Sequence, residues 1–157
     1  MSGQSARDWA LAYASLQWRV YPVARGTKRP MFDDWIRDAT VDPALIARHW
    51  RSGPGAPSVG VISGETFDVI DVEAAHVEAF RAAVASHGLP AGPIARSGRG
   101  GIHLYVRSIG TGTHRLLLDR VHIGEWKGSG GVLVPPSLTV DAYAWLRSPF
   151  DHPLPDA

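Results

Sequence analysis

The stretch FDVIDVEAAH, residues 67–76, constrains the fold more than any other part of the chain. Val69, Ile70 and Val72 form the apolar run of a buried strand, yet Asp71 interrupts it and Glu73 ends it. Side chains alternate across a strand, so Asp71 and Glu73 project from one face, about 6 to 7 Å apart along the backbone. Two carboxylates so placed repel, and a divalent cation between them relieves the repulsion. Hard oxygen ligands select Mg²⁺ or Mn²⁺. A strand end emerging into solvent, or an acid capping the following helix, would carry the same residues.

The rest of the chain frames that strand. Its 157 residues, 45% of them hydrophobic, suffice for one domain with a real core and are too few for two ordinary ones. The expected arrangement is a domain over residues 1–148 and a Pro-rich tail or linker over 149–157. With no Cys, disulfides, cysteine-ligated zinc and thiolate catalysis are excluded. No apolar run reaches membrane-spanning length, and the N-terminus lacks the basic-then-apolar order of a secretory signal. A cytoplasmic protein with no membrane partner is expected. Net charge is +1, but residues 96–127 hold Arg96, Arg99, Arg107, Arg115, Arg120 and Lys127 against only Asp119 and Glu125. That local excess suits a phosphate backbone and equally suits an ordinary solvated rim.

Trp9, Ala12, Tyr13 and Leu16 recur at helical spacing behind a capping-box-like Ser5 and Asp8, which predicts a helix over residues 6–17. A short strand follows at 18–23, then a basic turn, ARGTKRP, at 24–30. Asp42 and Pro43 open a second helix with Leu45, Ile46, His49 and Trp50 on one face, running to about residue 51 and followed by a loop at 51–58. SVGVI (58–62) and TFDVIDV (66–72) read as the strands of a hairpin. A helix is expected over 74–87, with Val77, Phe80 and Val84 inward and Gly88 as its stop. After a brief strand, PIARS (93–97), and the turn SGRGG (97–101), IHLYVR (102–107) reads as a strand. Ile102, Leu104 and Val106 take one of its faces, and His103, Tyr105 and Arg107 the other. Residues 108–120 read as a loop, 121–127 and 131–134 as a second hairpin, and 143–146 as a last strand. Helices early and hairpins later give an α+β, or mixed α/β, domain in which an all-parallel sheet is not expected.

A third carboxylate, Glu125, lies near the end of an alternating strand, just before the glycine turn GSGG. Two acids on one strand and a third on a neighbour form the ligand set of two-metal phosphoryl-transfer sites. His103 follows SGRGG, and glycine-rich backbone with an imidazole suits a polyphosphate. An ordinary hairpin turn has the same sequence, and the dinucleotide fingerprint is not met because His103 stands where its last glycine belongs. Only two lysines occur, Lys28 and Lys127, both in glycine-bounded segments, and lysine binds phosphate as a point charge.

In order along the chain, WRVYPV (18–23), GTKRP (26–30), DATVDP (38–43), SVGVISG (58–64), VIDVE (69–73), SGRGGIHLYV (97–106) and EWKGSGGVLVPPS (125–137) resemble the N-terminal domain of bifunctional DNA primase/polymerases, the prim-pol branch of the archaeo-eukaryotic primase superfamily. The resemblance runs from about residue 6 to residue 145. It implies an RRM-like mixed or antiparallel sheet with flanking helices and a small N-terminal helical and stranded subdomain. It implies a DNA-directed nucleotidyltransferase with Mg²⁺ or Mn²⁺ as cofactor, a single-stranded DNA template and NTPs or dNTPs as substrates, and a role in plasmid, phage or mobile-element replication. A downstream helicase or primase C-terminal domain is an implied partner. The family's acidic pair falls on Asp71 and Glu73, its histidine on His103 and its third acid on Glu125, with the metal on the three acids. Phosphate-binding positions fall on Ser97, Arg99, Gly100, Gly101, His103, Lys127 and Lys28. Glu125 stands where Asp is commoner, and Gly101 where a serine often precedes the histidine. Those departures leave open a catalytically weak module that binds single-stranded DNA or nucleotides. Three acids and a histidine equally suit a metal-dependent phosphodiesterase.

Overall fold

The computed structural model describes residues 3–51, 55–88 and 91–157, so the loop expected at 51–58 lies partly outside the described residues. In chain order the elements are α1 (Ala6–Ser15), β1 (Val20–Val23), α2 (Trp35–Asp38), α3 (Pro43–His49), β2 (Ser58–Ile62), β3 (Phe67–Val72), a 3₁₀ turn (Ala74–His76), α4 (Val77–Val84), β4 (Ile94–Arg96), β5 (Ile102–Arg107), β6 (Gly112–Leu118), β7 (Val121–Gly128), β8 (Gly131–Val134) and β9 (Ala144–Arg147). Every strand pairing is antiparallel, giving a mixed α+β fold. Among the described residues no helix is long and apolar enough to cross a membrane. The chain divides into two units, Met1–Ile62 with Gly131–Tyr143 and Ser63–Gly130 with Ala144–Ala157.

The first unit follows its local signals closely. The Ser5 hydroxyl accepts the Asp8 N–H at 3.2 Å while the Asp8 carboxylate accepts the Ser5 N–H at 2.9 Å, closing a capping box at the start of α1. Ala10, Tyr13 and Ala14 are its buried face. The helix stops two residues short of the expected 17 because Gln17 adopts a left-handed φ of 63°. The Asp42 carboxylate accepts the Ala44 N–H at 2.8 Å ahead of Pro43, as an N-cap should. In α3 the buried stripe is Ile46 continuing to Trp50, one turn on, and Leu45 lies off it at 36% exposure, against the expectation that it faces inward. β1, β2 and β8 form a three-stranded sheet in that order, and Tyr21, Val23, Ile62, Leu133 and Tyr143 cluster on it with Trp35.

Neither expected hairpin forms. β2 pairs with β1 and β8, whereas β3 pairs with β5 and β7. β7 has its hairpin partner in β6, inside the segment read as a loop, and β8 belongs to the other sheet. The short glycine-bearing links at 63–66 and 129–130 therefore carry the chain from one sheet to the other instead of folding two strands together.

The second unit is a six-stranded sheet ordered β6-β7-β3-β5-β4-β9. Alternation along its strands sends Val72, Ile94, Ile102 and Leu104 to one face, where they cluster with Val77 of α4 and with Ile70, Phe80 and Leu116. The helix expected over 74–87 is split into the 3₁₀ turn and the shorter α4, and Gly88 follows with φ of 77°. At the far end of the chain the Pro155 carbonyl accepts the Arg107 N–H at 2.8 Å.

Candidate active site

Strand register builds the site. Asp71 on β3 lies directly opposite Glu125 on β7 and opposite His103 on β5, and Glu125 lies opposite Arg115 on β6. Opposed residues share a face, so Arg115, Glu125, Asp71 and His103 form one row across four adjacent strands. At about 4.8 Å per strand the row spans about 14 Å. It occupies the face away from α4, because the intervening residues Ile70, Val72, Ile102 and Leu104 are the ones packed with that helix.

Two glycines make the crowding possible. A Cβ on residue 124 would lie 1.8 Å from the Asp71 carbonyl oxygen, so only Gly124 lets β7 come this close to β3 beside Glu125. A Cβ on residue 101 would lie 2.6 Å from the Val72 carbonyl oxygen, which makes Gly101 the close contact between the SGRGG turn and the end of β3. Within that turn the Ser97 N–H donates to the Gly101 carbonyl at 2.9 Å and the Gly100 N–H to the Ser97 carbonyl at 3.0 Å. These two bonds leave out the amides of Gly98, Arg99 and Gly101, and the Arg99 side chain is exposed.

Lys127 and His103 flank the carboxylate of Asp71. His103 Nε2 lies 3.4 Å from one of its oxygens and Lys127 Nζ 3.3 Å from the other. The same ammonium is 3.9 Å from the Glu125 carboxylate. Burial raises the Asp71 pKa, but hydrogen bonding and charge from His103, and then Lys127, outweigh it and hold the group at about 2. Asp71 is therefore ionised at neutral pH despite being mostly buried. His103 itself is buried, at 5% exposure.

The remaining expected residues fall in different places. Glu73 follows β3 with an extended backbone and an exposed side chain, and its N–H donates to the Ile123 carbonyl at 2.9 Å. Among the described residues no three carboxylate, imidazole or thiol groups converge closely enough to hold a metal ion as they stand. Lys28 belongs to the first unit, in the exposed turn at 24–30, and is not part of the row. The basic stretch at 96–127 does not form a single stripe. Arg115 and Lys127 share the face of Asp71, Arg96 lies opposite Ile102 on the helix-covered side, and Arg107 pairs with Asp156 at 3.4 Å.

Two residues escaped the sequence reading. Arg115 counted only toward the basic excess at 96–127, and its place in the row was missed because its strand read as a loop. Asp68, three residues before Asp71 and so on the other face, is fully buried, accepting the Trp126 indole N–H at 3.0 Å and the Ile109 N–H at 3.1 Å. Only the register of β3 against β7 reveals that pairing.

Comparison with curated proteins gave no match. The family model described as bifunctional DNA primase/polymerase, N-terminal, matches residues 10–157 and so takes in both units and every residue of the row. A sheet face carrying opposed acids, in a chain matched over that length, places it: the protein belongs to the bifunctional DNA primase/polymerase N-terminal family.

Proposed function

We propose that this chain extends DNA by template-directed nucleotidyl transfer from NTPs or dNTPs, with the row on β7, β3 and β5 as its active centre. The observation that carries the reading is the direct opposition of Asp71 and Glu125, a pair of like charges with one ammonium lying near both. The donor set suits Mg²⁺ or Mn²⁺: it is all oxygen, one member stays ionised down to about pH 2, and an ammonium already sits beside two carboxylates. Asp71 and Glu125 would hold the ion, with Glu73, just past the end of β3, as the third carboxylate. A divalent ion bound there would neutralise triphosphate charge and favour the attacking 3′-hydroxyl in its deprotonated form.

The chain's own residues do the rest. His103 positions Asp71 through its Nε2, fixing one carboxylate oxygen and leaving the other to Lys127. The unengaged amides of the 97–101 turn, the exposed Arg99 and Lys127 provide donors for phosphate oxygens. Arg115, at the open end of the row, is set to hold the backbone of a single-stranded template or primer. Such an enzyme would work in the cytoplasm during plasmid, phage or mobile-element replication, with a helicase or primase C-terminal domain as its partner.

Incorporation of labelled nucleotide on a primed single strand, with Mg²⁺ or Mn²⁺, tests the reading. Wild type should extend the primer, and Asp71→Ala should do so at least about a hundredfold more slowly. Equal rates with every metal would defeat it. Shortening of the strand in the absence of nucleotide would point to phosphodiester hydrolysis instead.

A further inference from the structure

Lys127 holds a position that the proposed function assigns to another cation. It lies two residues along β7 from Glu125 and therefore on the same face, and its Nζ rests 3.3 Å from Asp71 and 3.9 Å from Glu125. Its side chain is only 25% exposed. An ammonium at that distance from both acids and a divalent ion bound by the same two carboxylates would repel each other strongly. The residue type is apt for exchange. Lysine is a compact charge on a flexible four-carbon stem, whereas an arginine fork would clasp a carboxylate through two hydrogen bonds. The chain uses lysine only twice among its 16 Lys and Arg residues.

We propose that Lys127 is a resident stand-in cation that keeps Asp71 and Glu125 apart from one another's charge in the metal-free protein and gives way when a divalent ion binds. This rests on the reading of Asp71 and Glu125 as metal ligands and adds an exchange to it. In the metal-free protein Lys127 stabilises two opposed carboxylates that would otherwise repel across neighbouring strands. Once displaced, the ammonium is an unpaired donor at the edge of the acidic row, available to a triphosphate oxygen. The coupling is reciprocal: an anion that draws Lys127 off the acids raises their affinity for the divalent ion by the same factor. Lys127 is thus a positioning residue in the empty site and a phosphate donor in the loaded one.

Titration calorimetry with Mn²⁺ alone, with no nucleotide or DNA, tests the exchange on the whole chain. Lys127→Met should bind Mn²⁺ on the order of tenfold more tightly than wild type, because the competing charge is gone. Lys127→Arg, which keeps the charge in a form harder to displace, should bind it several-fold more weakly. In wild type, acylation of Lys127 followed by peptide mass mapping should speed up when Mn²⁺ is added, with Lys28 as the internal reference that does not change. Equal Mn²⁺ affinity in wild type and both variants would overturn the exchange while leaving the metal site intact. No Mn²⁺ binding in any of the three would overturn the metal site and the exchange with it. Should Lys127→Met not fold, the Lys127→Arg affinity and the acylation rate decide alone.

Discussion

β3 presents one carboxylate to each face of its sheet, and the two are handled in opposite ways. Asp68 faces the side that α4 covers, is fully buried, and meets only neutral donors, the Trp126 indole and the Ile109 amide, both on one carboxylate oxygen, while the other has no hydrogen-bond partner among the described residues. Asp71 faces the other side and is satisfied by groups that carry or can carry charge, Lys127 and His103. Fixed dipoles suit a carboxylate whose task is to hold two strands in register. Movable charges suit one that must later accept a different cation. Register is held from both faces, because a slip of one residue in β3 would bury Asp71 beneath α4 and carry Val69, 0% exposed on the face of Asp71, to the other side.

The contrast can be broken by showing that a substitution on one face has the effect expected of the other. The largest effect belongs to the covered face. Leu104, 1% exposed, lies in the cluster with Val77, and Leu104→Ala should cost about 3 to 4 kcal/mol in urea unfolding. Incorporation per folded molecule should stay within about threefold of wild type. Next comes the face of Asp71. Glu125→Gln should lower incorporation about a hundredfold, near 2.7 kcal/mol of barrier, with its urea midpoint almost unmoved.

Acid should separate the two faces by a smaller margin. The folded protein binds a proton on Asp71 less readily than the unfolded chain does, since the pKa falls from its usual 3.8 to about 2. The resulting stability is complete above about pH 4 and is lost as pH falls through 2, a contribution of about 2 kcal/mol. Urea titrations at pH 4 and pH 2 should show wild type losing that much more than Asp71→Asn does. The smallest effect is expected of Asp68→Asn, which keeps one acceptor for Trp126 and Ile109 and should cost about 1 kcal/mol, with incorporation changed less than tenfold. A hundredfold loss of activity there would mean that the buried carboxylate, too, takes part in the chemistry.

Local chemistry was legible in the sequence, and long-range pairing was not. The capping box at Ser5 and Asp8 and the Asp42 N-cap with Pro43 involve neighbours within three residues, and the structure keeps them. Both expected hairpins failed because a short glycine link between two apolar strands looks the same whether it turns a hairpin or crosses between sheets. β6 stayed hidden for a different reason. Most of its side chains, Leu117 among them, are exposed, so it has no clean alternation to read. Its turn to β7 places Asp119 and Arg120 at φ of 48° and 67°, where Asn and Gly would have announced a two-residue hairpin. For the acids, alternation put Asp71 and Glu73 on one face and the resemblance singled out Glu125. The direct opposition of Asp71 and Glu125, and the reach of Lys127 to both, depend on register and could not be read along the chain.

The interleaving of the two sheets bears on how the protein is made. β1 and β2 leave the ribosome early, but β8, which closes the free side of β2, follows only after residues 63–130 have been synthesised. At ordinary elongation rates that delay is on the order of ten seconds. Throughout it the backbone donors and acceptors along one edge of SVGVI stand open to any other extended chain. Slowing translation across β3 to β7 should thus favour nascent-chain aggregation, and supplying a peptide spanning 131–143 in trans should suppress it.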